Sequence, residues 1–304
     1  KPLIAKFEGH YHGTYDDVLV STTPAPGEGG PVAEPIPVSS SRGIPEEVYK
    51  NTVVLPFNDL EAAEKIIRKN RDRLACVIME LVSKGYVPAD REFARGIREL
   101  TEDLGILLIV DEVLTGFRVH YRGAQHVYGI KPDITCLGKV VGGGVPLSVV
   151  AGRKEIMKVV APASRDSEKF VYHSGTYNGS TIGLSYGLAT LEVLGREGIY
   201  PRLMRNTESL KKGLGGVFSD AGIPARLQGM GGMFNLLFCA GEVKRHRDTF
   251  KEDMLKRAVF DCTLLLNGVY VVPARRFNIS VVHSAEDLKR TMSAAMKAAE
   301  AIAR

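Results

Sequence analysis

The chain has 304 residues, 44% of them hydrophobic and 25% charged, an ordinary globular composition with length for about two domains. A net charge of +5 is small for this length, and the densest basic run, Lys244-Arg245-His246-Arg247, lacks interleaved aromatics, so nothing points to nucleic acid. No apolar run is long enough to span a membrane and no signal peptide is visible. Four widely spaced cysteines (Cys76, Cys136, Cys239, Cys262) contain no C-x-x-C, as expected of reduced thiols in a cytoplasmic protein.

Lys1 already heads into a predicted strand, Leu3 to Phe7, so the chain reads as the later part of a longer protein. The polar-aromatic turn Glu8-Gly9-His10-Tyr11-His12-Gly13 follows. Residues 21–46, rich in Pro, Gly and Ser, read as a long irregular connection of the kind that is functional or mobile. A short strand is expected over Val53 to Phe57. A helix should start at Asn58 through the capping box N-D-L-E, with Leu60, Ala63, Ile66 and Ile67 on one face. A buried strand from Leu74 to Met79 ends in Glu80, and a helix from about Asp90 to Leu104 ends at Gly105.

The run Ile106 to Val110 is uninterruptedly apolar, reads as a strand covered on both faces, and stops at Asp111-Glu112. A carboxylate at the carboxyl end of such a strand lies where open α/β sheets bind ligands. The next strand, Asp133 to Leu137, runs into Gly138-Lys139 and a glycine triplet. A lysine among apolar residues and glycines is a candidate nucleophilic amine, and a buried aspartate can hold a cationic ring nitrogen, a pairing found at pyridoxal phosphate sites. On spacing alone, Asp111 as a cap and Lys139 as a solvated loop lysine are the simpler account. A P-loop is excluded, because Asp133 and Val140 stand where it needs Gly and Ser or Thr.

A strand at Ser148–Gly152, a short helix from Lys154 to Val160 and a loop from Tyr172 to Asn178 come next, with Asn178 capping a helix to about Leu194. Strands alternating with helices to this point predict an α/β domain with a mostly parallel sheet, placed at residues 1–196. The remainder, 197–304, reads as a smaller α+β domain. Its predicted helices are Pro201 to Ala221, Phe250 to Asn267 and a capped one from Ser284; its strands are Ala225–Gln228, Met233–Cys239, Gly268–Val272 and Ile279–Val282.

With FEGHYHG (7–13), DEVLTGFR (111–118), PDITCLGKVVGGGVP (132–146), HSGTYNG (173–179) and GVYVVP (268–273), essentially the whole chain resembles the class III aminotransferases, pyridoxal-phosphate enzymes of fold type I. The resemblance implies that the cofactor is pyridoxal 5′-phosphate. It implies that Lys139 forms the Schiff base and shuttles protons, and that Asp111 pairs with the ring nitrogen. Val113 and Tyr11 would flank the ring, aided by His12, with Glu80 as a further polar group. Gly175 and Thr176 would reach the cofactor phosphate of a partner subunit in a homodimer with a shared active site. Taken singly, Tyr11 reads as a packed aromatic and Ser174-Gly175-Thr176 as a turn.

Three departures qualify the family pattern. The family's amino-terminal phosphate-binding turn would lie before Lys1. The usual Glu-Pro is Glu80-Leu81. Near the end stands Ala274-Arg275-Arg276-Phe277-Asn278, where glutamate-1-semialdehyde aminomutases carry Phe-Glu. Arginine there is similar to transaminases of β-amino acids, in which it grips the substrate carboxylate, so Arg275 and Arg276 are the substrate candidates; taken alone they read equally well as a surface pair. The resemblance leaves three functions open: an aminotransferase working between an amino donor and a keto acid, an aminomutase-like isomerase, and a catalytically silent fragment.

Overall fold

Six apolar runs pair into one large sheet. In the computed structural model, which describes residues 1–304, the chain divides into two units: Lys1–Leu81 with Asp90–Gly195, and Val82–Ala89 with Arg196–Arg304. The first unit opens with β1 (Leu3–Phe7), a short α1 (Glu46–Tyr49), β2 (Thr52–Leu55), α2 (Leu60–Asn70) and β3 (Leu74–Met79). The two-residue strands β4 (Val82–Ser83) and β5 (Val87–Pro88) form a hairpin assigned to the second unit. The first unit resumes with α3 (Arg91–Asp103), β6 (Leu107–Glu112), α4 (Gly123–Tyr128), β7 (Ile134–Leu137), β8 (Val149–Gly152), α5 (Lys154–Met157) and α6 (Thr181–Leu194). Strand order in its sheet is β2-β1-β3-β6-β7-β8, all parallel except β8, which runs antiparallel to β7. This is the expected α/β fold with a mostly parallel sheet.

Local chemistry sets the helix boundaries. Asp59, not Asn58, caps α2, its side chain accepting from Ala62 N; Asn58 takes φ 56° and uses its amide oxygen to accept from Asp90 N at 2.9 Å. Likewise Ser180 rather than Asn178 caps α6. Helix α3 ends as read, with Gly105 at φ 61° and Ile106 N donating to Thr101 O. The irregular connection is pinned at its neck: Ser21 N donates to Val38 O at 2.7 Å and Ser40 N to Leu19 O at 3.0 Å. Glu112, wholly buried, accepts from Thr115 Oγ1 at 2.5 Å, Ala124 N at 2.9 Å and Gln125 N at 2.7 Å. It thereby caps α4, and Gly123 is required beside it: φ is 75° and a Cβ would stand 2.4 Å from Glu112 Oε1.

The second unit continues with α7 (Ile199–Asp220), β9 (Arg226–Met230), β10 (Met233–Leu237), α8 (Met254–Leu266), β11 (Phe277–Asn278) and α9 (Ala285–Ala303). Its antiparallel sheet has β10 in the middle, with β9 and β11 on its two edges. The predicted strands at 268–272 and 279–282 do not form. Both edges of β10 are filled, and Val269, Val271 and Ile279 instead pack against a core of Leu214, Phe218, Phe234, Phe260 and Leu264. The terminal helix has the expected cap, a reciprocal Ser284–Asp287 box.

Replacing Glu112 by Ala orphans two buried backbone donors and a hydroxyl, so unfolding free energy should fall by about 3 kcal/mol in urea denaturation. A loss below about 1 kcal/mol would mean that the α4 cap is not held by this carboxylate.

Candidate active site

The parallel strands β1, β3, β6 and β7 deliver their carboxyl ends to one edge of the sheet. From β1 the chain goes first to β2 on one side and then to β3 on the other, so the order reverses between β1 and β3. The crevice beyond such a reversal is where open α/β sheets hold ligands. Here the turn after β1 is bound across it. Glu80 N, just past β3, donates to His10 Nδ1 at 3.1 Å, and Tyr11 N donates to Glu80 Oε2 at 3.2 Å. His12 Nδ1 lies 2.8 Å from Asp111 Oδ2, at the end of β6.

Two buried features fix this turn from below, and neither was read as functional in the sequence. Lys6, wholly buried in β1, points its ammonium at the carbonyls of His10 (2.8 Å) and Val20. His10 packs edge-on to Phe57 at 4.6 Å, and Phe7, Phe57 and Phe93 stack edge-to-face around it at 5.4 to 5.8 Å. Each such pair adds roughly 1 kcal/mol beyond its area burial. The signal available was a lysine in the middle of the apolar strand LIAKF, where a charge has no reason to be unless it has partners.

The His12–Asp111 contact is a hydrogen bond to a neutral ring. Burial pulls the His12 pKa below its ordinary 6.5, outweighing the opposing pull of Asp111. Nδ1–H is therefore the donor, and Nε2, also buried, has no hydrogen-bond partner. The second oxygen of Asp111 accepts from Val113 N at 2.9 Å. Asp111 is thus 8% exposed and accepts from two neutral donors, His12 Nδ1 and Val113 N. A carboxylate in that state favours a cationic ligand, and a protonated ring nitrogen fits.

Lys139 follows β7, the strand paired with β6. It is exposed and sits at φ 50°, a left-handed backbone that costs a non-glycine residue about 1 kcal/mol and that clusters at functional sites. A turn of 3-10 helix over Lys139–Gly142, closed by Gly143 at φ 59°, holds it there. Gly138 lets this turn approach Val113: a Cβ at 138 would meet Val113 Cγ1 at 3.1 Å. The edge of the first unit therefore gathers Tyr11, His12, Glu80, Asp111, Val113 and Lys139. Gly175 and Thr176 do not join them; they lie on an exposed loop ahead of α6.

In the second unit the adjacent arginines differ. Arg276 is half-buried and donates from Nη1 to Lys84 O at 3.2 Å, tying down the β4–β5 hairpin, whereas the Arg275 side chain is exposed.

Comparison with known proteins gives one family, with both aminomutases and transaminases among the similar proteins. The family model described as Aminotransferase class-III matches residues 1–298. A glutamate-1-semialdehyde 2,1-aminomutase from Persephonella marina is 40% identical over 299 residues, which cover 97% of this chain and 67% of that relative. An omega-transaminase from Sphaerobacter thermophilus superposes with a TM-score of 0.92 at 32% identity, over 99% of this chain and 69% of that one. A transaminase with PLP bound gives 0.85 at 31%, over 99% and 68%.

Because the folded pKa of His12 lies below the unfolded value, the unfolded chain takes up a proton first as pH falls below about 6.5, and stability drops from there. His12→Gln should remove that part of the loss, measured as the difference between the two proteins' urea midpoints from pH 7.5 down to about 5. Parallel curves would mean that His12 titrates normally.

Proposed function

The chain belongs to the class-III aminotransferase family, and on that premise we propose that it moves an amino group from a carboxylate-bearing amine, of the β-amino acid kind, to a keto acid. Its cofactor is pyridoxal 5′-phosphate. The observation that carries the proposal is the pair at the ends of β6 and β7, a buried carboxylate oriented by His12 and Val113 N and an exposed lysine on a left-handed backbone.

When bound, the cofactor supplies an electron-withdrawing ring that acidifies the C–H bond next to the substrate nitrogen. The residues of this chain do the rest. Asp111 would keep a proton on the ring nitrogen, since opposite charge at close range favours the protonated form. His12 fixes the direction of that carboxylate through Nδ1–H. Tyr11 and Val113 would face the two sides of the ring, and Glu80 holds the Tyr11 backbone. Lys139 would anchor the cofactor through its amine and carry the proton from the substrate's amine-bearing carbon to the cofactor carbon C4′. Arg275 would take the substrate carboxylate.

The site is proposed to be completed by a second copy of the chain. Helix α6, TIGLSYGLATLEVL, is apolar nearly all round, which is the pattern of a helix covered on most sides. Yet only Gly183 and Gly187 are buried, with Ile182 67%, Leu188 69% and Tyr186 51% exposed. Covering this face with a partner would bring in the adjoining Gly175–Thr176 loop, whose proposed role is to donate to the partner's cofactor phosphate.

The intramolecular alternative, an aminomutase, is favoured by the 40% identical relative from Persephonella marina. Incubating the complete enzyme with an amino donor separates the two. A transaminase should yield one pyridoxamine form per site and then stop until a keto acid is added. Conversion of glutamate-1-semialdehyde to 5-aminolevulinate with no keto acid present would establish the mutase instead.

Lys139→Ala should abolish the visible absorption band of the bound cofactor and lower turnover at least about a thousandfold. An unchanged band would remove Lys139 from the site. Leu188→Glu should convert a dimer into a monomer in size-exclusion light scattering; a dimer that survives it would place the partner on another face.

A further inference from the structure

Within the second unit, the charges on α8 do not face solvent. Arg257 and Asp261, one helical turn apart, are each 1% exposed, and Arg257 Nε donates to Asp261 Oδ2 at 2.8 Å. From Nη1 the guanidinium donates to Asn235 Oδ1 at 2.9 Å and to Leu236 O at 2.7 Å, which locks it onto β10. The remaining arms reach one loop. Arg257 Nη2 donates to Arg275 O at 2.5 Å, and Asp261 Oδ2 accepts from Ala274 N at 2.7 Å. One buried ion pair therefore holds the peptide that follows Arg275 and the peptide that leads into Ala274, the residue before it. Ala274 is kept at φ 53°, a strained value for alanine that persists only where its surroundings impose it.

A buried ion pair is a weak way to add stability, since desolvation offsets most of its Coulomb attraction and apolar residues would serve as well. What it supplies is fixed geometry, and the geometry it fixes is the backbone that carries an exposed guanidinium. We propose that Arg257 and Asp261 are positioning residues for anion recognition: they set the backbone on either side of Arg275 so that its guanidinium is presented as the carboxylate receptor, while Arg276 is a structural tie to Lys84 O. This rests on the reading of Arg275 as the group that receives the substrate carboxylate.

The test is calorimetric binding to the complete enzyme with pyridoxal phosphate bound, using 3-phenylpropanoate and its uncharged counterpart 3-phenylpropanamide as probes. The wild type should prefer the anion, and Arg275→Ala should weaken the anion about tenfold or more while leaving the amide unchanged. Asp261→Asn and Arg257→Lys, two different lesions of the same pair, should each weaken the anion roughly threefold to tenfold, again with the amide unchanged. Asp261→Asn should add nothing in the Arg275→Ala background. If Arg275→Ala loses the anion but neither Asp261→Asn nor Arg257→Lys does, or if those variants weaken anion and amide alike, the positioning role is wrong and the pair is merely structural. If the wild type shows no preference for the anion, or Arg275→Ala keeps it, the carboxylate reading of Arg275 is what fails, and the positioning role falls with it.

Discussion

A buried carboxylate bonded by neutral donors draws a cationic ligand toward it, and Asp111 is held by two such donors, His12 Nδ1 and Val113 N. The surrounding residues keep it there. The His12 ring is buried too deeply to hold a proton readily, so it orients the carboxylate without neutralising it. The turn that carries His12 is in turn fixed by Lys6, which bonds the His10 carbonyl, and by bonds from His10 and Tyr11 to Glu80 just past β3. The sheet thus gives one edge a negative charge with a set direction, and the rest of the proposed chemistry needs that charge before it needs anything else.

Two carboxylates adjacent in sequence do opposite jobs at this edge. Strand alternation sends Asp111 and Glu112 to opposite faces. Glu112 is saturated by a hydroxyl and two backbone donors and serves only to cap α4. Asp111 keeps acceptor capacity. The second unit repeats the division: Arg276 is tied to a backbone carbonyl, and Arg275 beside it is exposed. In each pair the more enclosed member is tied to the backbone of its own unit.

Much of the first unit was legible because its signals are local. Apolar runs stopping at Glu80, Asp111 and Lys139 mark strand ends whatever lies beside them. The helix caps were displaced by a residue or two, since Asn58 had a distant use for its side chain, the backbone of Asp90, that no local pattern reveals. In the second unit the strands at 268–272 and 279–282 were misread because apolar runs report burial, not a pairing partner, and β10 has only two edges. Arg257 and Asp261 look like an ordinary solvated i, i+4 pair, and only the fold shows them enclosed. The role of the 82–89 segment could not be read at all. Its partners Gln228, His246 and Arg276 lie more than a hundred residues further along the chain.

That segment has a consequence for how such chains can be recombined. The backbone passes from one unit to the other after Leu81, returns after Ala89, and passes again after Gly195. A chimaera joined near residue 195 would take the hairpin from one parent and the unit it belongs to from the other. Two of the hairpin's bonds are made by its main-chain carbonyls at Lys84 and Tyr86, which accept from Arg276 and Gln228, while the Lys84 side chain bonds His246 Nδ1 at 2.8 Å. Any parental sequence that keeps the same turn, with its left-handed residues at 84 and 85, offers those same acceptors. Exchange of second units at this junction therefore keeps the two main-chain contacts wherever the donors at 228 and 276 are kept, but residues 84 and 246, whose side chains bond each other, would come from different parents and must match.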